Sequence, residues 1–444
     1  MLLRFTVSNF LSFAEEVEFN MFPSNLKIHK DHVYDLGNGV DVLKAAAVYG
    51  ANGSGKSNFV NGLLLLKHFV FNKNLSFEKL QVNFKLDKEF LNKPTKLEIE
   101  FKFNSRYLIY GISFWNTWIE KEWLYESFPE KNKQILVFER EKINKDSKNK
   151  IKVNKKYTTS EKEKLRFEIY EEELLSTELF LGRIGERIEE GTITLDWFNS
   201  FLYRADFTEG KKTGLVRLIH NSTWWSEYFV ELLNKLGTGI SKIDISNLSF
   251  DTIDNLELRK QIEQDLLLDG NQIDFVSKNE EFLAINNKNI IELKKLAIFN
   301  QGKNKELIEF SFSEQSDGTK KILQLIPLLL AAELYEATVF IDEIERSLHP
   351  TMIKELLTYF MSRPTKGQLI FTTHESHLLD LDIFRQDEIW FTEKNEEGAT
   401  RMYPLSDFKP RYDLDIQKGY LAGRFGAIPF IGNLKDLIST DEKI

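Results

Sequence analysis

Residues Gly50-Ala51-Asn52-Gly53-Ser54-Gly55-Lys56-Ser57 fit the spacing G-x-x-x-x-G-K-[ST] in full. Glycines at such spacing let successive backbone N–H groups turn toward one point, and an anion there gains from the positive end of a helix that starts at the same place. The backbone of Gly50, Asn52, Gly53, Ser54 and Gly55 is therefore expected to wrap a phosphate chain. Lys56 is expected to reach the β and γ phosphates of ATP, and the Ser57 hydroxyl to ligate Mg²⁺. A second chemical group is the acid pair Asp342-Glu343, which follows Thr338-Val339-Phe340-Ile341. Asp342 is expected to hold the hydrated metal and Glu343 to polarise an attacking water. His374 ends the run Leu369 to Thr373, where an imidazole can hydrogen-bond a γ phosphate. Ser316-Asp317-Gly318-Thr319 opens a long helix and has two readings. It is a plain N-cap, or a helix start at which Ser316 and Gly318 face a phosphate. His349, in Ser347-Leu348-His349-Pro350, has no carboxylate–histidine spacing around it that makes a metal set.

Elements must place these groups. Leu43 to Tyr49 is a short apolar strand, and Lys56 to Val70 reads as the helix after the glycine turn, the expected setting for phosphate binding. Thr338 to Ile341 and Gln368 to Thr373 read as buried strands, with helices over Asp317 to Glu336 and Met352 to Met361. Helices alternating with near-continuous apolar strands indicate a parallel sheet with both faces covered. Ahead of the glycine loop, Phe5, Val7, Phe10 and Phe13 are spaced for short strands. In the middle, Lys96 to Phe103 and Tyr107 to Phe114 alternate as a hairpin does, turning at Asn104-Ser105-Arg106. Ser160 to Glu190 is charged and helix-prone, with Leu165, Ile169, Leu174, Leu175, Leu179 and Phe180 as one apolar face. Further helices fall near 215–236 and 254–268. These patterns predict an α/β head of 1–75 and 300–444, with an inserted α+β lobe over 76–299.

Composition narrows the class. The 444 residues include no cysteine, which excludes disulfides, thiolate zinc sites and a cysteine nucleophile. The 36 phenylalanines largely alternate with polar residues and read as core. No apolar run approaches the ~20 residues of a spanning helix, so the chain is expected to be cytoplasmic with no membrane partner. The net charge of −9 does not indicate nucleic acid, though a local patch could still bind it. Lys142, Lys145, Lys148, Lys150, Lys152, Lys155 and Lys156 form such a patch, read as a solvated hairpin tip or as a phosphate-binding surface.

In this order, the motifs resemble the ABC-type ATPases, the class that includes the SMC, RecF and OLD-type proteins. Asn9-Phe10-Leu11-Ser12-Phe13, the glycine loop, Glu314 to Lys320, Ile341 to Glu345 with Ser347 to Pro350, Thr372-Thr373-His374 and the closing Tyr420 to Phe430 look most like the OLD-like AAA/ABC ATP-binding proteins of bacterial phage defence. The resemblance covers about 1–70 and 305–431. It implies an ABC-type P-loop head with mixed sheet and helices, slow switch-like ATP hydrolysis, and ATP sandwiched in a homodimer or higher homo-oligomer. It also implies control of a separate effector, a TOPRIM-type nuclease or a toxin. The alternative is a RecF/SMC-like DNA-repair or DNA-binding ATPase. Ser-Asp-Gly-Thr stands where transporters have a Ser-Gly-Gly-Gln type, so transport is not implied. No Cys-x-x-Cys hook is present, little chain remains for an appended nuclease, and Gln81 is the nearest candidate for the Q-loop glutamine.

Overall fold

The computed structural model describes residues 1–71, 80–205, 214–268, 270–278, 280–288 and 290–428. Pro429 and Phe430, the end of the closing segment quoted above, lie outside them. The chain divides into two compact units: 1–204 with 332–345 and 354–444, and 205–331 with 346–353. The stretch that the sequence assigns to an inserted lobe contributes to both. Its strands over 95–153 continue a sheet of the first unit, and 205–299 lies in the second.

Besides the two-stranded pair Val33–Asp35 and Asp41–Leu43, the first unit contains two larger sheets. One is antiparallel, in the order Lys150–Val153, Lys133–Glu141, Trp118–Phe128, Arg106–Trp115, Thr95–Phe103, Leu2–Ser8, Val17–Asn20. Thr95–Phe103 buries every second residue, which is the two-residue period its sequence shows. Its hairpin turns where expected, with Asn104 at φ 47° and Ser105 at φ 66°. Two successive left-handed residues match the twist of the flanking strands, and an asparagine tolerates that conformation better than most residues.

The other sheet carries the chemistry. It runs Leu202–Ala205, Thr338–Ile341, Gln368–Thr373, Ala45–Gly50, Ile389–Lys394, Thr400–Pro404. Its strands Thr338–Ile341, Gln368–Thr373, Ala45–Gly50 and Ile389–Lys394 are parallel, and Thr400–Pro404 is antiparallel to its neighbour. Thr338–Ile341, Gln368–Thr373 and Ala45–Gly50 are buried at every residue, as strands covered on both faces must be. This is the expected α/β P-loop ATPase head with mixed sheets and helices.

Helix Lys56–Phe71 buries Phe59, Val60, Leu63, Leu66 and Phe69. The Phe59 ring meets Phe5 at 5.8 Å and Phe19 at 5.0 Å in the antiparallel sheet, and Phe340 at 6.4 Å in the parallel one. One side chain thus pins both sheets to the helix after the glycine loop, and burying a Phe contributes about 1.5–3 kcal/mol.

The segment from Ser160 departs from expectation. Glu161–Glu173 is helical and starts at a complete capping box of Ser160 and Glu163, yet it buries no residue. Leu165 and Ile169 are exposed, whereas Leu174, Leu179 and Phe180 are buried just past the helix end. The apolar residues therefore belong to the chain that follows and do not share one helical face. Lys142, Lys145 and Lys148 lie in the loop of an antiparallel hairpin, Lys150 and Lys152 in its second strand, and Lys155 and Lys156 in the turn after it. Lys142 turns back onto the Ser147 carbonyl, and Lys148, Lys152 and Lys156 pair with Glu172, Glu139 and Glu190.

The second unit has an antiparallel sheet in the order Ile240–Ser249, Ile290–Gln301, Glu280–Asn287, Gln272–Ser277, with Leu307–Phe310 paired to Ile290–Gln301. Helix Leu256–Leu268 sets Ile262 and Leu266 against Phe275, Ala284 and Leu293. Helices Leu215–Asn221 and Thr223–Lys235 form near the expected places. Helix Asp317–Leu334 begins here, two residues shorter at its end than the sequence suggests. Among the described residues, no helix is long and apolar enough to cross a membrane.

Candidate functional site

The glycine loop leaves strand Ala45–Gly50 and enters helix Lys56–Phe71. Gly53 and Gly55 sit at φ 76° and 115°, conformations that a side chain disfavours. Packing adds a second reason at two positions. A Cβ on Gly50 would come within 2.2 Å of Thr392 Oγ1, and one on Gly55 within 2.3 Å of Thr400 Oγ1.

Those two threonines brace the loop. Thr392 Oγ1 donates to the Tyr49 carbonyl (3.1 Å) and lies 2.7 Å from Ser54 Oγ. Thr400 Oγ1 lies 2.8 Å from both the Ser54 carbonyl and Ser12 Oγ. Ser12 Oγ also accepts from Asn58 Nδ2 (2.8 Å), and its carbonyl accepts the Thr400 N–H (2.7 Å). Ser12 lies in a tight turn in which Phe10 and Phe13 exchange backbone bonds of 2.8 Å and Asn9 and Leu11 adopt φ 47° and 51°. The turn is anchored in turn by Asn9, whose Nδ2 donates to the carbonyls of Phe90 and Lys93 and whose Oδ1 accepts the Phe84 N–H. Asn9 to Phe13 is therefore the clamp of the loop. Gln81 is exposed, next to Val82, whose carbonyl accepts the Leu11 N–H.

Lys56 is buried, and its Nζ donates to the loop carbonyls of Gly50 (2.6 Å) and Ala51 (3.1 Å). Burial lowers its pKa, and the carboxylates of Glu345, Asp342 and Glu343 oppose that shift. The ammonium thus lies over its own loop in a field of three acids, ready to exchange carbonyls for phosphate oxygens. Asn52, Gly53 and Ser57 are exposed. Ser54 is buried with its hydroxyl engaged, which leaves its backbone as its contribution to any ligand.

The acid pair is set by one hydroxyl. Thr372 Oγ1 donates to Asp342 Oδ1 (2.5 Å) and accepts the Glu343 N–H (2.8 Å). Glu343 adopts φ 50°, so the chain leaves strand Thr338–Ile341 by a sharp left-handed step at the candidate base. Two residues on, Glu345 Oε1 accepts the His374 N–H (2.9 Å) and meets His374 Nδ1 (3.0 Å). A carboxylate only accepts, so Nδ1 carries the hydrogen and Nε2 is left to face a ligand. Glu345 Oε2 and the Tyr49 hydroxyl are buried without a hydrogen-bond partner among the described residues. Glu345, Thr372, Thr392, Thr400 and Ser12 were missed by sequence reasoning. Glu345, Thr372 and Ser12 stand inside the motif phrases Ile341 to Glu345, Thr372 to His374 and Asn9 to Phe13, and that adjacency was the available signal.

Gly50 to Ser57, Asp342, Glu343 and His374 all belong to the first unit, at the carboxyl ends of parallel strands, where α/β sheets bind ligands. Ser316 and Gly318 belong to the second. There Ser316 Oγ accepts the Thr319 N–H (3.2 Å), which is N-cap geometry. Ser316 is exposed, and a Cβ on Gly318 would lie 2.9 Å from the Ser347 carbonyl, so the Ser347 turn (φ 62°) packs directly against this glycine. His349 Nδ1 accepts the Thr351 N–H (3.3 Å), a capping role for helix Pro350–Ser362.

A protein-family profile described as "AAA domain, putative AbiEii toxin, Type IV TA system" matches residues 45–169 and 151–380. No curated protein matches the chain. Among solved structures, an Smc head bound to the C-winged helix domain of ScpA is similar at 13% identity, over 92% of this chain and 99% of that one, with a TM-score of 0.43. An SMC head domain from Thermotoga maritima is similar at 13% identity, over 91% and 98%, with a TM-score of 0.37. An Smc head with an extended coiled coil, bound to the C-terminal domain of ScpA and derived from Pyrococcus furiosus, is similar at 12% identity, over 95% and 98%, with a TM-score of 0.40.

Proposed function

The chain belongs to this AAA-domain family of ATPases, and from that premise we propose that it is an ATP-hydrolysing switch that closes on a second copy of itself and thereby controls a separate effector protein. The observation that supports it most is a pair of hydrogen-bonded groups, Thr372 with Asp342 and Glu343, and Glu345 with His374, whose three carboxylates bear on the buried Lys56.

In this reading the backbone of Gly50 to Gly55 wraps the phosphates, and Lys56 gives up the carbonyls of Gly50 and Ala51 to bind the β and γ oxygens. Ser57 and Asp342 are oxygen ligands suited to Mg²⁺, which spreads phosphate charge when bound. Glu343 orients the attacking water. His374, fixed by Glu345, presents Nε2 to the γ phosphate. Ser316 and Gly318 complete the site of a partner subunit, and the exposure of Ser316 leaves it accessible for that contact. The effector in this reading is a nuclease or toxin of a defence system, as in the OLD-like group that includes the ATPase subunit of the PARIS system.

A mixing experiment tests the reading. Ser316→Arg places bulk and charge at the proposed seam, so the variant should bind ATP but lose hydrolysis and ATP-dependent association. Lys56→Ala should bind ATP much more weakly. Co-assembled, the pair forms one intact composite site, and hydrolysis should return in part. No recovery in a mixture shown to co-assemble, or full activity of Ser316→Arg alone, overturns completion in trans. Stimulation of hydrolysis by duplex DNA, with no effector required, would favour the DNA-repair alternative.

A further inference from the structure

A second cluster of ligating groups lies apart from the glycine loop. His29, Asp31 and His32 each offer one ligand atom, and these atoms lie within 4.8 Å of one another. Asp31 and His32 lie in the short turn Lys30–His32, which His29 enters at φ 43°.

The outer nitrogens of both imidazoles are already engaged. His29 Nε2 lies 2.8 Å from the Leu381 carbonyl, which can only accept, so Nε2 carries the hydrogen and Nδ1 is bare. His32 Nδ1 lies 3.0 Å from Glu388 Oε2, an oxygen that also accepts the Arg385 N–H (2.8 Å). That leaves His32 Nε2 bare, 4.0 Å from Asp31 Oδ2. Metal-bound histidines characteristically donate their second N–H to a carboxylate or carbonyl, which fixes the tautomer and raises ligand basicity. Both histidines here meet that condition, His29 with a carbonyl and His32 with a carboxylate.

Glu388 supplies an independent reason. Its side chain is fully buried (0% exposed), and Oε1 has no hydrogen-bond partner among the described residues. A buried carboxylate is costly unless positive charge faces it. Lys44 feels both Asp31 and Glu388, but its ammonium is hydrogen-bonded to the carbonyls of Met361 and Arg363 (2.9 Å each).

We propose that His29, Asp31 and His32 form a binding site for a transition-metal dication of the zinc type, with Glu388 as the carboxylate behind His32. Two imidazoles and one carboxylate suit zinc and not Mg²⁺, and water takes the fourth position on the exposed side. Ligands of one tetrahedral zinc at ~2.0–2.1 Å lie about 3.4 Å apart. Closure therefore draws the exposed Asp31 carboxylate inward and tilts the imidazoles out of their present stack, in which the ring centroids are 4.7 Å apart. The Glu388 carbonyl accepts the Ala47 N–H (2.8 Å), and the strand that follows, Ile389–Lys394, pairs with Ala45–Gly50. A metal at this turn thus braces the start of Ile389–Lys394, which lies beside the strand that leads to the glycine loop.

The test uses the full chain, stripped of metal by a chelator and free of nucleotide. Zinc chloride is titrated by calorimetry, and thermal unfolding is followed with and without it. One zinc per chain and a raised Tm are expected. Asp31→Asn and His29→Ala should each weaken zinc at least ~10-fold, and Glu388→Gln by about 10–100-fold. Cobalt in place of zinc should show the intense visible bands of a tetrahedral site. Asp342→Asn should leave zinc binding unchanged, which separates this site from the nucleotide site. No zinc uptake, or zinc binding that survives Asp31→Asn and His29→Ala, or that disappears with Asp342→Asn, overturns the proposal. If Glu388→Gln does not fold, the exposed Asp31→Asn decides alone.

Discussion

The phosphate loop and the Ser316 loop are built differently. Around the phosphate loop the supporting polar groups hold one another: Thr400 joins the Ser54 carbonyl to Ser12, Thr392 meets the Ser54 hydroxyl, Thr372 holds the acid pair and Glu345 holds His374. At Ser316 the chain forms an exposed helix start with one cap and one close backbone approach, that of Ser347 to Gly318. A preorganised half performs chemistry only with its donors fixed in advance. An exposed helix start offers unpaired N–H groups whose natural partner is an anion or another surface. The contrast accords with the proposed completion of the site by a second copy.

That comparison can be broken in four ways. The largest effect is expected from Glu343→Gln, which keeps shape and the Thr372 contact to its backbone. Hydrolysis should fall ~10²–10⁴-fold, the usual share of a positioned base, while ATP binding persists in a titration. A normal rate would remove Glu343 from the chemistry. Lys56→Ala should weaken ATP by about 10–100-fold, the worth of charge-assisted hydrogen bonds. Unchanged affinity with an intact fold would mean that the loop does not wrap phosphate.

Gly55→Ala tests rigidity directly. The left-handed backbone and the contact with Thr400 together should cost about 1–3 kcal/mol in denaturant unfolding. Stability equal to the parent would show that the loop yields and is not held. The smallest effect belongs to Ser316→Ala. Loss of the cap should cost about 1 kcal/mol or less, so a much larger fall in hydrolysis at saturating ATP would assign the serine a role beyond capping. Equal small losses in both measurements would leave it a cap.

The sequence already determined the local parts. The period of two in Lys96 to Phe103, the all-apolar runs before Gly50 and His374, and the glycine spacing each encode an element within a few residues, because a strand's burial and a loop's φ angles are set by neighbouring side chains. The loop, the acid pair and the histidine were legible for that reason. What only the tertiary structure decided is long-range. Leu2–Ser8 pairs with Thr95–Phe103, Ser12 meets Thr400, Thr372 sets Glu343, and Glu388 backs His32. Each joins groups far apart in the chain through a hydroxyl, a carboxylate or a backbone N–H that has no distinctive spacing of its own. Ser160 to Glu190 shows the same limit from the other side. Its apolar residues fit a helical period, but which of them are buried depended on whether a core lay opposite, and that is a property of the packed chain and not of the segment.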